Sequence, residues 1–270
     1  MKKNILFSFV LFSLISCNQQ EVSNDWKKLN LKGEVKCVKY ETYEASTKFG
    51  AVEQEELEVT NIYEFNKDGF LISSSTVGVT PSSNYRRIYT YNGDTVLKTI
   101  YSFDTLHQKV VSVYDEQRLL LEETTYDSFG KIIRSYSYKY LDKQLTEVLE
   151  YCENGALCGR KSDFVYKDGK LKSYCIYGED GLSETDYFKY DDKGRVTDEK
   201  DVNSDGEVKY RLHHEYDEYG NMTKDSFKGR YYQSETVHKN TYDSFNNVIK
   251  SIVSDDEGDY EIVHASITYF

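Results

Sequence analysis

Phe188-Lys189-Tyr190-Asp191-Asp192-Lys193-Gly194-Arg195-Val196 decides the fold. Phe188 and Tyr190 are two apart, so in a strand they share one face, and the intervening lysine points the other way. Asp191 can hydrogen-bond its own backbone and start a turn, and a glycine three residues later takes the left-handed conformation that closes a hairpin. Val196 opens the return strand. The nine residues therefore predict the end of one strand, a tight turn and the start of the next.

The same order recurs about nine times, and self-similarity of this kind outranks any single motif as evidence of fold. Tyr63-Phe65-Asn66-Gly69-Leu71 and His214-Tyr216-Asp217-Gly220-Met222 are strong copies, the second with a histidine as its first aromatic. Tyr126-Asp127-Ser128-Phe129-Gly130 is another, and in Tyr242-Asp243-Ser244-Phe245-Asn246 an asparagine replaces the glycine. Asparagine is the next residue best able to adopt a left-handed backbone, so the replacement supports the turn. Weaker turns such as Asn154-Gly155, Asp205-Gly206 and Glu257-Gly258 fall about halfway between and return the chain at the opposite edge. Their ranking predicts that Gly194 matters more to stability than Gly206.

The expected fold is all-β. It is an antiparallel meander of about 18 short strands in hairpin repeats of roughly 24–26 residues, forming a curled or spiralling sheet. Twenty-six tyrosines and thirteen phenylalanines against one proline agree with strands. Tyrosine rings must supply much of the buried area, with each hydroxyl finding a partner.

The chain has 270 residues and a formal net charge of −12. Two of its lysines, Lys2 and Lys3, open an apolar run from Ile5 to Ile15 that is too short to span a bilayer and reads as a secretory leader. An acidic field without a basic block repels nucleic acid, which is not an expected partner.

Leu14-Ile15-Ser16-Cys17 resembles the lipobox of bacterial lipoproteins. The resemblance implies cleavage before Cys17 and acylation of that cysteine, which makes the membrane a partner through an N-terminal lipid anchor. The expected organisation is a signal peptide at 1–17, a polar tether at 18–30 and one repeat domain at 31–270. It implies the envelope of a bacterial cell, with the outer membrane of a Gram-negative cell as the expected address. Trp26, the only tryptophan, is expected to seal the edge of the fold.

The spacing in 188–196, in Glu215 to Met222 and in Tyr126 to Ile132 resembles the tyrosine-aspartate (YD) repeat of RHS-type proteins, over most of Tyr63 to Lys250. Two copies depart from it: Tyr138 to Leu145 lacks the acid and the glycine, and Lys167 replaces the acid after Tyr166. In that family the repeats spiral into a shell, often around a toxin. The resemblance implies a curled sheet here. It makes Asn66, Gly69, Asp127, Gly130, Asp191, Gly194, Asp217, Gly220, Asp243 and Asn246 the structural turn residues.

No nucleophile elbow, metalloprotease helix or phosphate loop occurs. His213 and His214 face opposite sides of a predicted strand, and neither is read as a metal ligand. Asp201 to Gly206 imitates a calcium loop, but Leu212 stands where the bidentate glutamate belongs, so a turn is expected. No metal and no cofactor are expected. Cys152 and Cys158 flank a short turn and would be opposed across a hairpin, which allows a disulfide. The alternative is that they, with Cys37 and Cys175, are small buried thiols. Three functions fit: a non-catalytic envelope scaffold or binding surface, a carbohydrate-binding or carbohydrate-processing lipoprotein, and an orphan relative of an RHS toxin system. Envelope proteins and glycans are the candidate partners. Tyrosine exposure separates the first two, because a sugar site needs aromatics gathered on an open concave face.

Overall fold

The computed structural model describes residues 24–80 and 83–270. The leader, Cys17 and the first part of the tether lie outside them. One short helix, α1 (Asp25–Lys28), precedes β1 (Val35–Lys48), β2 (Ala51–Phe65), β3 (Leu71–Gly78), β4 (Tyr85–Asn92), β5 (Thr95–Ser102) and β6 (Thr105–Tyr114). Then come β7 (Leu120–Asp127), β8 (Ile132–Leu141), β9 (Gln144–Cys152), β10 (Leu157–Lys167), β11 (Lys170–Gly178) and β12 (Gly181–Tyr190). The chain ends with β13 (Val196–Asn203), β14 (Val208–Tyr216), β15 (Met222–Gly229), β16 (Gln233–Tyr242), β17 (Val248–Asp255) and β18 (Tyr260–Tyr269).

Each strand pairs antiparallel with its neighbours in sequence, and β1 also pairs with β18 from Val35 opposite Tyr269 to Ala45 opposite Tyr260. The expected meander of eighteen strands thus closes into a barrel. Closure removes the two open edges that a curled sheet would leave to water or to another chain.

The turns alternate between two ends. At both, an Asx device recurs: the side chain of the first residue accepts from the backbone N–H groups two and four positions on. Asn66 accepts from Asp68 and Phe70, Asp217 from Tyr219 and Asn221, and Asp243 from Phe245 and Asn247. The residue three positions on lies at positive φ: 81° at Gly69, 86° at Gly194 and Gly220, 65° at Asn246. Two features differ from the sequence reading. The Asp127 to Gly130 turn joins β7 to β8 and so stands at the opposite end from those after β2, β12, β14 and β16. The supposedly weak turn at Gly206 has the same device, Asn203 accepting from Asp205 and Glu207, and Gly206 has φ 84°. The ranking of Gly194 above Gly206 therefore has no geometric basis. The departing copy after Tyr140 turns on Asp142 and Lys143, both left-handed at φ 49° and 66°.

After most turns at the first end the return strand carries a bulge. Glu215 faces Lys224 but Tyr216 faces Met222, and Thr241 faces Lys250 but Tyr242 faces Val248. The extra residue keeps both the last tyrosine and the first aliphatic facing inward. Adjacent hairpins also splay there: the β3–β4 ladder stops at Ser73–Ile88 and the β13–β14 ladder at Asp198–His213. The carbonyls left without a rung are met by tyrosine hydroxyls. Tyr91 donates to Leu71 O at 2.8 Å, Tyr140 to Leu120 O at 2.9 Å, Tyr166 to Leu145 O at 3.0 Å and Tyr216 to Val196 O at 2.9 Å. Near the chain's end Tyr242 and Tyr269 donate instead to the carboxylates of Asp217 and Asp243 in the preceding turns.

Residues 24–34 form a strap over this end, so the expected tether gives way to folded chain at Asn24, ahead of residue 30. Asp25 and Trp26 donate their N–H groups to Gly69 O, and Asp25 accepts from Leu71 N–H. Asn30 bonds Asn221 at 2.8 Å, and Asn247 both accepts from Lys32 N–H and donates to Lys32 O. The strap thereby spans the seam between β1 and β18. Trp26 packs on Phe65 and donates to Val35 O at 2.8 Å. Val35, Val38, Phe65 and Leu71 form the main hydrophobic cluster beneath it. Each such side chain contributes about 1.5–3 kcal/mol by burial.

Gly69 and Gly130 have φ 81° and 84°, so alanine strains both alike. A methyl group on Gly69 would meet Asn24 and Trp26 at 2.4 and 2.5 Å, whereas at Gly130 it meets nothing within 4 Å. Gly69→Ala is expected to cost about 1–3 kcal/mol more than Gly130→Ala in denaturant unfolding. It should also red-shift the emission of Trp26 as the strap lifts; equal midpoints and unchanged emission would contradict the strap's role.

Candidate functional site

The inner face of β11 to β15 carries a row that breaks the usual rules of sheet pairing. Tyr174 lies opposite Asp186, Asp186 opposite Asp201, and Asp201 opposite Tyr210. Like charges directly opposite one another on neighbouring strands destabilise a sheet. The next row places Phe188 opposite Glu199. Asp201 is 3% exposed and Glu199 8%. Lys209 pairs with Glu184 and lies 3.4 Å from Asp201, while the other Asp201 oxygen has no partner within the described chain. Burial, followed by the nearby carboxylates, pushes the Asp201 carboxyl up, and burial does the same to Asp186.

Stacked rings flank the acids. Phe164 stacks on Tyr174 and Tyr174 on Phe188, with centroids 5.2 and 6.0 Å apart, and Tyr210 stacks on Phe227 at 6.0 Å. Lys161 lies 5.0 Å over the Tyr174 ring. His214 adjoins the acids, 7% exposed, with Nδ1 2.7 Å from Asp225 and Nε2 3.8 Å from Glu199. The Asp225 contact is a close charge pair whose angle is poor for a hydrogen bond. Burial alone would lower the His214 pKa, but the two carboxylates overcome it and raise it to about 9. The histidine is thus an imidazolium that partly neutralises the acids. His213 points outward to Asp198 at 3.3 Å, on the opposite face as expected.

Chemically this is a partly buried acid and tyrosine network. Among the described residues no group of three or more histidines, cysteines and carboxylates is arranged to hold a metal ion. Asp201, first residue of the calcium-like stretch, faces inward, and Asn203 to Gly206 form a turn.

The turn residues named from the sequence do not converge on this network. Asn66, Gly69, Asp191, Gly194, Asp217, Gly220, Asp243 and Asn246 ring the strap end, and Asp127 and Gly130 stand at the far end. Cys152 and Cys158 are joined as a disulfide across the β9–β10 turn, with Cα atoms 5.8 Å apart. Cys37 and Cys175 are free thiols. Cys17 lies outside the described residues. The acid row itself was missed, because only the bulged register brings Asp186 and Asp201 together; the signal was the acidic content of 184, 186, 199 and 201.

No protein-family model matches the chain, and no curated protein matches it in sequence. Among solved structures, a porin-like protein from Bacteroides uniformis is similar at TM-score 0.46 and 11% identity, over 88% of this chain and 98% of that one. A porin-like protein from Bacteroides vulgatus is similar at TM-score 0.33 and 8% identity, over 85% and 97%. The TcdB2-TccC3 structure is similar at TM-score 0.30 and 10% identity, over 75% of this chain and 14% of that one.

The buried ionisable groups give a pH dependence of definite sign. Glu261 is 4% exposed, and burial beside Glu58 and Asp255 raises its pKa to about 7 from 4.5. His214 is raised to about 9 from 6.5. A group raised on folding stabilises fully below its unfolded value and loses that contribution as pH passes the folded one. Thermal stability should therefore fall as pH rises from about 4.5 to 7 through Glu261, and from 6.5 to 9 through His214. Glu261→Gln should flatten the lower part of the melting profile and His214→Gln the upper part. A profile unchanged by either substitution would contradict these assignments.

Proposed function

We propose that this protein is a non-catalytic scaffold of the bacterial cell envelope, held to a membrane by lipid on Cys17, whose barrel presents a binding surface to another protein. The observation that carries the reading is the use of the tyrosines. Tyr91, Tyr140, Tyr166 and Tyr216 spend their hydroxyls on backbone carbonyls of the neighbouring strand. Rings and hydroxyls so committed build a wall and leave little for stacking on a sugar, so the carbohydrate reading is the weaker one.

The outer face supports a body standing in water beside the membrane. Lys139 pairs with Glu147 and Lys224 with Glu235 at outward positions, and Asp198, His213 and Glu215 cluster there too. Lysine or arginine on the lipid face of a spanning barrel costs about 2–4 kcal/mol each at mid-membrane. The membrane link then falls to the lipobox cysteine. The net charge of −12 keeps nucleic acid out of the partner list.

Cys17→Ser should move the full-length protein from the membrane pellet to the soluble fraction of broken cells. Retention in the pellet, or in detergent-free salt washes of it, would contradict lipid anchoring.

A further inference from the structure

The two ends of the barrel treat the same tripeptide differently. Asp127-Ser128-Phe129 and Asp243-Ser244-Phe245 have identical sequences and the same Asx hydrogen bonds. At the strap end Phe245 packs on Tyr269, centroids 4.6 Å apart. At the far end Phe129 is 94% exposed and meets no other ring among the described residues. Turn chemistry therefore does not account for the exposure of Phe129.

The far end repeats the pattern from turn to turn. Phe49 and Tyr231 are 108% and 89% exposed, and Phe103 and Leu157 just over half exposed. Phe49 and Phe103 occupy left-handed backbone at φ 51° and 52°, where glycine or asparagine would sit without strain. At Phe49 the ring gains almost no burial to offset that strain. By contrast Phe70 and Tyr219 at the strap end pack on Tyr91 and Tyr242.

We propose that this far rim is a docking surface for a protein whose contact face is basic and apolar. Charge selects the occupant. The connectors after β11, β13 and β17 read Glu-Asp, Ser-Asp-Gly-Glu and Asp-Glu-Gly-Asp. The bases in the other far-end connectors, Lys131 after β7 and Arg230 after β15, already face Glu153 at 3.0 Å and Glu207 at 3.9 Å. A second copy of this chain, at net −12, and an anionic leaflet would both be repelled. A cleft of about 350 Å³ lined by Leu157, Arg160, Tyr177 and Glu179 indents the rim beside the Cys152–Cys158 disulfide and offers a seat for one protruding side chain. Exposed aromatics around acids match the anchors that dominate protein interfaces. The proposal deepens the binding-surface reading and rests on it.

The test places a photo-crosslinking phenylalanine analogue at Phe129 or at Phe245 in the full-length protein, in its own cells. The rim reading predicts a light-dependent protein adduct from position 129 and none from 245, mapping by mass spectrometry to a basic face of the captured protein. The purified pair should then bind less tightly as salt rises. Phe129→Ala and Phe49→Ala should each weaken it on the order of tenfold without changing the melting temperature. Adducts from 245 alone would overturn the rim while leaving the binding-surface reading standing, and adducts from neither position would count against both. Adducts only to lipid, or only to a second copy of this chain, would overturn the basic protein as occupant.

Discussion

The barrel depends on tyrosine hydroxyls that supply the rungs the sheet lacks. Where hairpins splay at the strap end, the carbonyls of Leu71, Leu120, Leu145 and Val196 lose their ladder partners, and a hydrogen bond to a part-buried carbonyl contributes about 0.5–1.5 kcal/mol. Tyr91, Tyr140, Tyr166 and Tyr216 reach across to them from the end of the next even strand. The splay lets eighteen strands widen and close, and the hydroxyls satisfy the backbone groups it frees. Toward the seam the device changes: Tyr242 and Tyr269 bond the turn carboxylates of Asp217 and Asp243, and the strap ties those turns to Gly69.

Function follows from where the remaining chemistry is left. Acids placed opposite acids at Asp186 and Asp201 violate a sheet rule, yet stacked tyrosine rings flank them, Lys209 lies near Asp201, and His214 partly neutralises the adjoining Glu199 and Asp225. At the strap end Phe70, Tyr219 and Phe245 pack on neighbouring rings, while Leu141 is 68% exposed. At the far rim the rings of Phe49 and Phe129 stand exposed on the same end as the acidic connectors. In the proposed scaffold this rim is the end presented to a partner.

Much of the fold was legible because Phe188 to Val196 and its copies state strand, turn and return strand in nine residues. Strand number and turn positions followed from the period. Closure was not legible, since the seam between β1 and β18 joins residues more than two hundred positions apart and rests on pairing rather than on any local pattern. The end to which each turn belongs was misread at Asp127 because identical Asx chemistry serves both ends. The acid row was hidden by the bulges, which shift parity by one residue after most turns at the strap end; the one after the β12–β13 turn sets Asp201 opposite Asp186. The two-residue turn at Asp142 and Lys143 carried no glycine signal at all.

Replacing Tyr91, Tyr140, Tyr166 and Tyr216 together by phenylalanine keeps every ring and removes only the four hydroxyls. The sites lie on separate hairpins, so their losses should add. Equilibrium unfolding of this variant is predicted to show a loss of about 2–6 kcal/mol with the β-sheet circular dichroism retained. An unfolding midpoint equal to that of the parent protein would contradict the central claim, because the barrel would then close without the tyrosine rungs.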